Sequence, residues 1–390
     1  MRLLGGLVIA GLLTVVPAAP AVADDPWDVP DQAVITVEGD GSGHGKGLSQ
    51  YGAYGAARAP YNLTGEQILD FYYPGTQRGS VGGAVEVWIS GDDGRRLTVD
   101  DRKGLMVRAG TGRLMKAHAI QPRADKWRIT PTAEGGRVEF HRGSWRVFQT
   151  FRGAPAFYAG GGPLTLRTPD GKVDYRGELR STEHGGDRIT VNVLPMEKYL
   201  RGVVPAELSS IWPLEAMRAQ AVASRTYAAY EREHAGSRPY DLCDTAACQA
   251  YGGASAETAR TDEAVSTTAQ RILTYGGETA FAQYSASNGG WTVDGGHPYL
   301  PAQEDPYEGT SPDYYGWTVE VTAAQVEQAY NLGNLTYLGI ETRDGQGPRG
   351  GRVQVVRIKT EGGFDGTVTG DSFRRNLGLR STLFEITQVS

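Results

Sequence analysis

Glu207 is set apart by its neighbours. It sits in Val203-Val204-Pro205-Ala206-Glu207-Leu208, with Ile211, Trp212 and Pro213 just beyond. A carboxyl held among apolar groups is disfavoured in its charged form, so its pKa climbs toward the range of a general acid. The same residue also reads as an ordinary solvated loop glutamate, and this pattern alone leaves both readings open. Glu197 and Glu215 read as helix-start acids that favour the dipole. The run Gly39-Asp-Gly-Ser-Gly-His-Gly-Lys-Gly47 looks at first like a phosphate loop. Its lysine is followed by Gly47 where Ser or Thr must reach magnesium, and Asp40 occupies the place of the first glycine, so nucleotide binding is rejected. No His-Glu-x-x-His and no Gly-x-Ser-x-Gly occurs. His44, His118, His141, His184, His234 and His297 show no metal-ligand spacing, and no metal or cofactor is expected.

The two cysteines, Cys243 and Cys248, are read through the compartment. Arg2 precedes an apolar stretch from Leu3 to Val16, and Ala21-Val22-Ala23 is a small-residue cleavage site. This predicts a signal peptide over 1–23, cut after Ala23. The alternative is an uncleaved anchor, for which the stretch is short. No later window approaches the ~18 apolar residues of a membrane span. The expected location is therefore secreted or in the cell envelope. An even cysteine count in an exported chain favours a Cys243–Cys248 disulfide. The alternative is a metal site with His234, which lacks a fourth ligand nearby.

The elements that must position these groups fall into three kinds. Val34–Val37 reads as a strand, Leu48–Ala57 as a helix, and Thr64-Gly-Glu-Gln67 as a capping box opening another helix that Pro74-Gly75 stops. From about Ala84 to Val193 the pattern has period two, broken by Gly/Asp turns, which predicts an antiparallel β module. Leu194–Leu200 begins a short helix. Trp212-Pro213-Leu214 opens a long one running to about Glu233, whose alanines imply close packing on several sides. Strands are expected again at Arg271–Tyr275, Ala280–Tyr284 and Val353–Ile358, with a second capping box at Thr322–Gln325. The fold class is α+β: short helices around one buried Ala-rich helix with mixed strands, plus the β module. The expected segments are the signal peptide, a loose leader over 24–33, core residues 34–80, the β module over 81–193 and the main core over 194–390. The 390 residues carry a formal charge of −6 with no basic run, which argues against nucleic acid as partner.

Longer motifs carry a resemblance. Leu194-Pro-Met-Glu-Lys-Tyr-Leu-Arg-Gly-Val-Val-Pro-Ala-Glu-Leu208, followed by Trp212-Pro-Leu-Glu-Ala-Met-Arg-Ala-Gln-Ala-Val-Ala-Ser-Arg-Thr-Tyr-Ala228, closely resembles the signature of the SpoIID/LytB (stage II sporulation protein D) family. Asp244-Thr245 with Cys248-Gln-Ala-Tyr251, Tyr284-Ser-Ala-Ser-Asn-Gly-Gly290, and Asp305-Pro-Tyr307 with Ser311-Pro312 resemble its later groove segments. Gly43-His-Gly-Lys-Gly-Leu-Ser-Gln-Tyr-Gly-Ala53 resembles its His-Gly box, with Leu48 for methionine. In the family's common order that box comes last. Here it comes first, and Gly370–Leu379, which would precede it, lies near the end. This looks like a circular permutation. Permutation needs neighbouring ends, so Val34–Val37 is expected beside Phe384–Val389.

The resemblance implies a lytic transglycosylase acting on peptidoglycan glycan strands, with Glu207 as its single acid/base and no cofactor. His44, Ser49, Gln50 and Tyr51 are implied groove contacts. Arg225 and Tyr227 are implied substrate contacts, against core packing. Tyr284, Ser287 and Asn288 are implied partners of sugar hydroxyls, against turn chemistry. Two other classes stay open: a non-catalytic peptidoglycan binder that enhances a cell-wall amidase, and an envelope interaction protein using Tyr-rich loops.

Overall fold

The computed structural model describes residues 26–92, 94–110, 112–309 and 314–390. The expected signal peptide and Ser311-Pro312 lie outside the described residues. The chain forms two compact units, one of residues 42–314 and one joining the segment up to Gly41 with 315–390. These units cut across the expected segments: residues 34–41 group with the C-terminal part, and 194–390 is divided at Tyr314.

In the 42–314 unit the period-two region folds as expected into antiparallel sheets. One six-stranded sheet runs in the order Ser144–Arg152, Gly135–Arg142, Lys126–Thr132, Leu97–Asp100, Leu164–Thr168, Gly171–Tyr175. The other runs Leu242–Cys243, Ala84–Ile89, Asp187–Pro195, Glu178–His184, Pro155–Ala159, Leu105–Ala109, and only its first pair is parallel. Alternation places Val85, Val87 and Ile89 inward, and Trp127, Ile129 and Val138 likewise. These residues share one core with Tyr199, Leu200, Val203 and Val204 of the first core helix, so the β region and the helices stabilise each other.

Four helices matter for the site: α1 (Gln50–Ala56), α2 (Gly65–Tyr72), α3 (Met196–Glu207) and α4 (Leu214–Glu233). The capping box of α2 is present, with Gln67 Oε1 accepting from Thr64 N at 2.9 Å and Thr64 Oγ1 accepting from Gln67 N at 3.3 Å. Helix α4 explains its own alanines. Met217, Ala221, Ala228 and Ala229 enter the core shared with the sheets, while Ala216, Ala219, Val222 and Ala223 enter a second core with α1 and α2. A helix wedged between two cores needs small side chains on both flanks.

Several boundaries differ from the sequence reading. Helix α3 continues through Pro205 to Glu207, so Glu207 ends a helix and does not sit in a turn. Proline ordinarily stops a helix. Here the buried Tyr199, Leu200, Val203 and Val204 hold α3 in place through its last turn. Helix α1 begins at Gln50, because Leu48–Ser49 pairs in parallel with Tyr284–Ser285. The strand expected at Ala280–Tyr284 is absent. Ala280–Gln283 turns back on itself, with Ala282 N donating to Ala280 O and Gln283 N to Phe281 O.

The second unit has its own core of Ile35, Val37, Leu338, Val356, Phe373, Phe384 and others. A four-stranded antiparallel sheet orders Trp27–Asp28, Leu335–Arg343, Val353–Thr360 and Asp365–Thr369. A three-stranded one orders Trp317–Thr322, Val34–Gly39 and Phe384–Val389. Val34–Gly39 thus pairs antiparallel with the C-terminal strand, Ile35 opposite Val389 and Gly39 opposite Phe384. Thr322 and Gln325 form the expected capping box of the helix Ala323–Tyr330.

Candidate active site

Glu207 is half-buried at the C-terminal end of α3. Its carboxyl accepts three hydrogen bonds from three separate chain segments. Gln50 Nε2, at the first residue of α1, donates to Oε2 at 3.0 Å. The Ala250 N–H donates to Oε1 at 2.9 Å, and Tyr284 Oη donates to the same oxygen at 3.1 Å. Burial pushes the Glu207 carboxyl above its ordinary value, and the three donors pull it part of the way back. The Tyr284 phenol is held well above its ordinary pKa by burial and by Glu207 beside it, so it stays a neutral donor.

Hydrogen-bond counting separates the two oxygens. Oε1 accepts two bonds, which uses both of its lone pairs. Oε2 accepts one, which leaves a lone pair to carry a proton. Oε2 is therefore the oxygen fit to exchange a proton with a bound molecule.

Each donor is held by local structure. Ser49 caps α1, its Oγ accepting from Gly52 N at 3.1 Å and itself bonded to Glu308, and this sets Gln50 at the helix start. The Ala250 N–H lies two residues beyond the Cys243–Cys248 disulfide, Cα–Cα 5.4 Å, which closes the loop leading to it. The Asp244 carboxyl anchors that loop by accepting from Ser90 N at 3.0 Å and Ser90 Oγ at 2.6 Å. His234, the further residue of the alternative metal reading, is engaged by its own helix. The His234 ring stacks on Tyr230 and donates from Nδ1 to its carbonyl at 2.7 Å. Gln249 sits behind, accepting from Tyr199 Oη at 2.9 Å and donating to Ser224 O at 3.3 Å.

Glu207 opens onto a cleft of about 340 Å³. Its wall includes Ser42, Gly43 and His44 of the Gly-rich loop, Gln50, Tyr227, Ala246–Cys248, and Gln283–Ala286. His44 and Glu207 thus face one cleft although 163 positions apart in the chain. The loop gets there through its glycines. Gly43, Gly45 and Gly47 have φ of +97°, +75° and +63°, and a Cβ on Gly47 would lie 2.1 Å from the Gln283 carbonyl oxygen. His44 Nδ1 accepts from Lys46 N at 2.9 Å, so in the neutral ring Nε2 carries the hydrogen. Among the described residues, Glu207 is the one carboxyl lining the cleft.

The remaining residues singled out from the sequence stand elsewhere. Arg225 is fully buried and grips Glu197 with two bonds, Nε–Oε1 2.9 Å and Nη2–Oε2 2.8 Å; it is a core ion pair between α4 and α3. Ser287 is buried and donates to Glu308 Oε1 at 2.8 Å, and Asn288 is buried and donates to Asp305 Oδ2 at 2.7 Å. Both hold the loop behind the cleft wall. Ser49 is the α1 cap described above. Tyr51 packs edge-on against Trp212 at 4.9 Å. The resemblance implied Arg225, Ser287 and Asn288 as substrate contacts; in the fold each polar tip is bonded to a carboxylate of the protein itself. The Ala250 N–H was missed, since a backbone donor leaves no mark in residue type.

Residues 184–275 match the SpoIID family, described as Stage II sporulation protein. This segment carries the SpoIID domain. The SpoIID segment starts in the last hairpin of the β region and ends on the strand Arg271–Tyr275. It encloses Glu207, Arg225 and the disulfide loop, while the Gly-rich loop and Tyr284 lie outside it. Among curated relatives, an uncharacterized protein of Brachyspira hyodysenteriae is 37% identical over 134 residues, 33% of this chain and 36% of its own length. The "Amidase enhancer" of Bacillus subtilis is 38% identical over 134 residues, 33% of this chain and 17% of its own. The "Stage II sporulation protein D" of Bacillus subtilis is 29% identical over 217 residues, half of this chain and 61% of its own. The chain thus spans about a third of the first relative and less of the second. No helix of the described residues is long and apolar enough to cross a membrane.

Proposed function

We propose that this protein acts on the cell wall as a peptidoglycan lytic transglycosylase. The observation that carries the reading is the solitary carboxyl at the cleft, raised in pKa and held by three donors. Ordinary glycosidases need two carboxyls flanking the bond. A transglycosylase forming an anhydro ring needs one. Glu207 Oε2 gives its proton to the oxygen between N-acetylmuramic acid and N-acetylglucosamine, and the C1–O bond breaks. The carboxylate then takes the proton of the muramic 6-hydroxyl as that oxygen bonds to C1. The attacking group is tethered to the reacting sugar, which supplies effective molarity. Tyr284 and Ala250 stabilise the carboxylate between the two transfers. His44 Nε2 and Tyr227 contact the sugar, a role supported by their position on the cleft wall.

The test incubates the full chain with purified glycan strands and identifies the new ends by mass spectrometry. The expected ends are 1,6-anhydro-N-acetylmuramic acid, lost by a factor of about 10²–10⁴ in Glu207→Gln. Plain reducing ends, or full turnover by that variant, overturn the reading. The second reading, a non-catalytic enhancer of a cell-wall amidase, is favoured by the relative that bears that name. It is distinguished by strand binding without cleavage. Export from the cell belongs to the same proposal and is supported by the disulfide. So does a permuted chain order, supported by the pairing of Val34–Gly39 with Phe384–Val389.

A further inference from the structure

One face of α4 carries more than the cleft uses. Tyr227, Tyr230 and His234 recur at helical spacing and so stand in line. Phe281 slots against them. Tyr227 stacks on Phe281 with centroids 5.6 Å apart, Phe281 on Tyr230 at 4.5 Å, and Tyr230 on His234 at 4.0 Å, all within 30° of parallel. Tyr227, Tyr230 and Phe281 are half-buried and His234 is exposed. The ladder is continuous with the cleft on two independent segments. Tyr227 lines the cleft wall at one end of the helical row. Phe281 is two residues before Gln283 and Tyr284, which line it too.

A row of half-exposed rings leaves contiguous apolar surface in water, and such patches mark interaction sites. The rings are also locked in place by mutual stacking and by the His234 Nδ1–Tyr230 O bond, so little side-chain freedom is lost when something lies on them. The cleft, at about 340 Å³, falls at the small end of ligand sites. A polymer bound there must leave it across neighbouring surface. The four rings carry no carboxylate, ammonium or guanidinium of their own, and Glu231, which bonds Tyr227 beside them, is balanced by Arg238 at 3.8 Å, so the track has no net charge and suits the apolar C–H face of a pyranose better than a charged polymer.

We propose that the Tyr227–Phe281–Tyr230–His234 ladder is an extended glycan track that holds the sugar units running beyond the cleft. This rests on the reading of the cleft as a glycan site. The test measures co-sedimentation of the full chain with insoluble glycan strands, in a Glu207→Gln background so that no cleavage intervenes. Adding Tyr230→Ala weakens binding roughly three- to tenfold, the size of one lost aromatic contact. Tyr230→Phe, which keeps the ring, restores it. His234→Ala, at the exposed end, weakens binding in the same direction and guards against a folding defect in Tyr230→Ala. In the active background, Tyr230→Ala raises KM on long strands more than it lowers kcat. If Glu207→Gln sediments with strands and the ladder variants bind as tightly, the track is refuted and the cleft reading stands. If Glu207→Gln does not sediment at all, both fall.

Discussion

Replacing Tyr284 by phenylalanine removes one hydroxyl and keeps the ring. That hydroxyl donates to Glu207 Oε1 at 3.1 Å. A hydrogen bond to a charged group contributes about 1.5–3 kcal/mol, against about 0.5–1.5 kcal/mol for a neutral pair. The ionised form of Glu207 therefore loses about 1 kcal/mol more than the protonated form. At 1.36 kcal/mol per pKa unit, the Glu207 pKa rises further, by about 0.7 of a unit. The direct assay is a carbon-13 NMR titration of side-chain carboxyls, with the Glu207 signal assigned by its loss in Glu207→Gln. The kinetic assay is the pH profile of glycan cleavage. Protonated Glu207 is the acid, so its alkaline limb moves to higher pH by the same amount. A Glu207 pKa that stays put or falls, in a variant whose fold is intact, refutes the account of how this site tunes its carboxyl.

Glu207→Gln trades activity for stability. Burial raises the Glu207 pKa above 4.5 in the folded protein, so its ionisation disfavours the folded state; the cost begins above the ordinary value and is complete above the folded one. The variant melts higher than the parent at neutral pH, and the difference vanishes on acidification below about 4; an equal or lower neutral melting temperature counts against the burial argument. Gly47→Ala places a Cβ 2.1 Å from the Gln283 carbonyl oxygen at a φ of +63°, and costs about 1–3 kcal/mol in urea unfolding with loss of strand binding. A neutral substitution there shows that the loop can move freely. Cys243→Ser with Cys248→Ser removes a short-loop crosslink of roughly 2 kcal/mol in the chain-entropy account. It also frees the Ala250 N–H, so the Glu207 pKa rises as in Tyr284→Phe, a shift that a purely global destabilisation does not produce.

Residue order alone determined the α+β class, the antiparallel alternation from Ala84 to Val193, both capping boxes, and helix α4 with its small residues. These are local signals: a period of two, a cap three residues from its partner, alanines where two cores must approach. The apolar neighbours of Glu207 in the chain left its environment open between a shielded acid and a solvated one, and the fold half-buries it. What the chain order could not decide was which polar groups meet. Arg225 and Asn288 look in sequence like Tyr227 and Tyr284, yet the first two are sealed against Glu197 and Asp305 while the others reach the cleft. That choice depends on partners 28 and 17 positions away. The extension of α3 through Pro205 is of the same kind, because buried packing overrides the local preference of proline to stop a helix. Above all, the carboxyl's three donors come from positions 50, 250 and 284. One of them is a bare peptide N–H, and only long-range folding brings it within hydrogen-bond reach of Glu207.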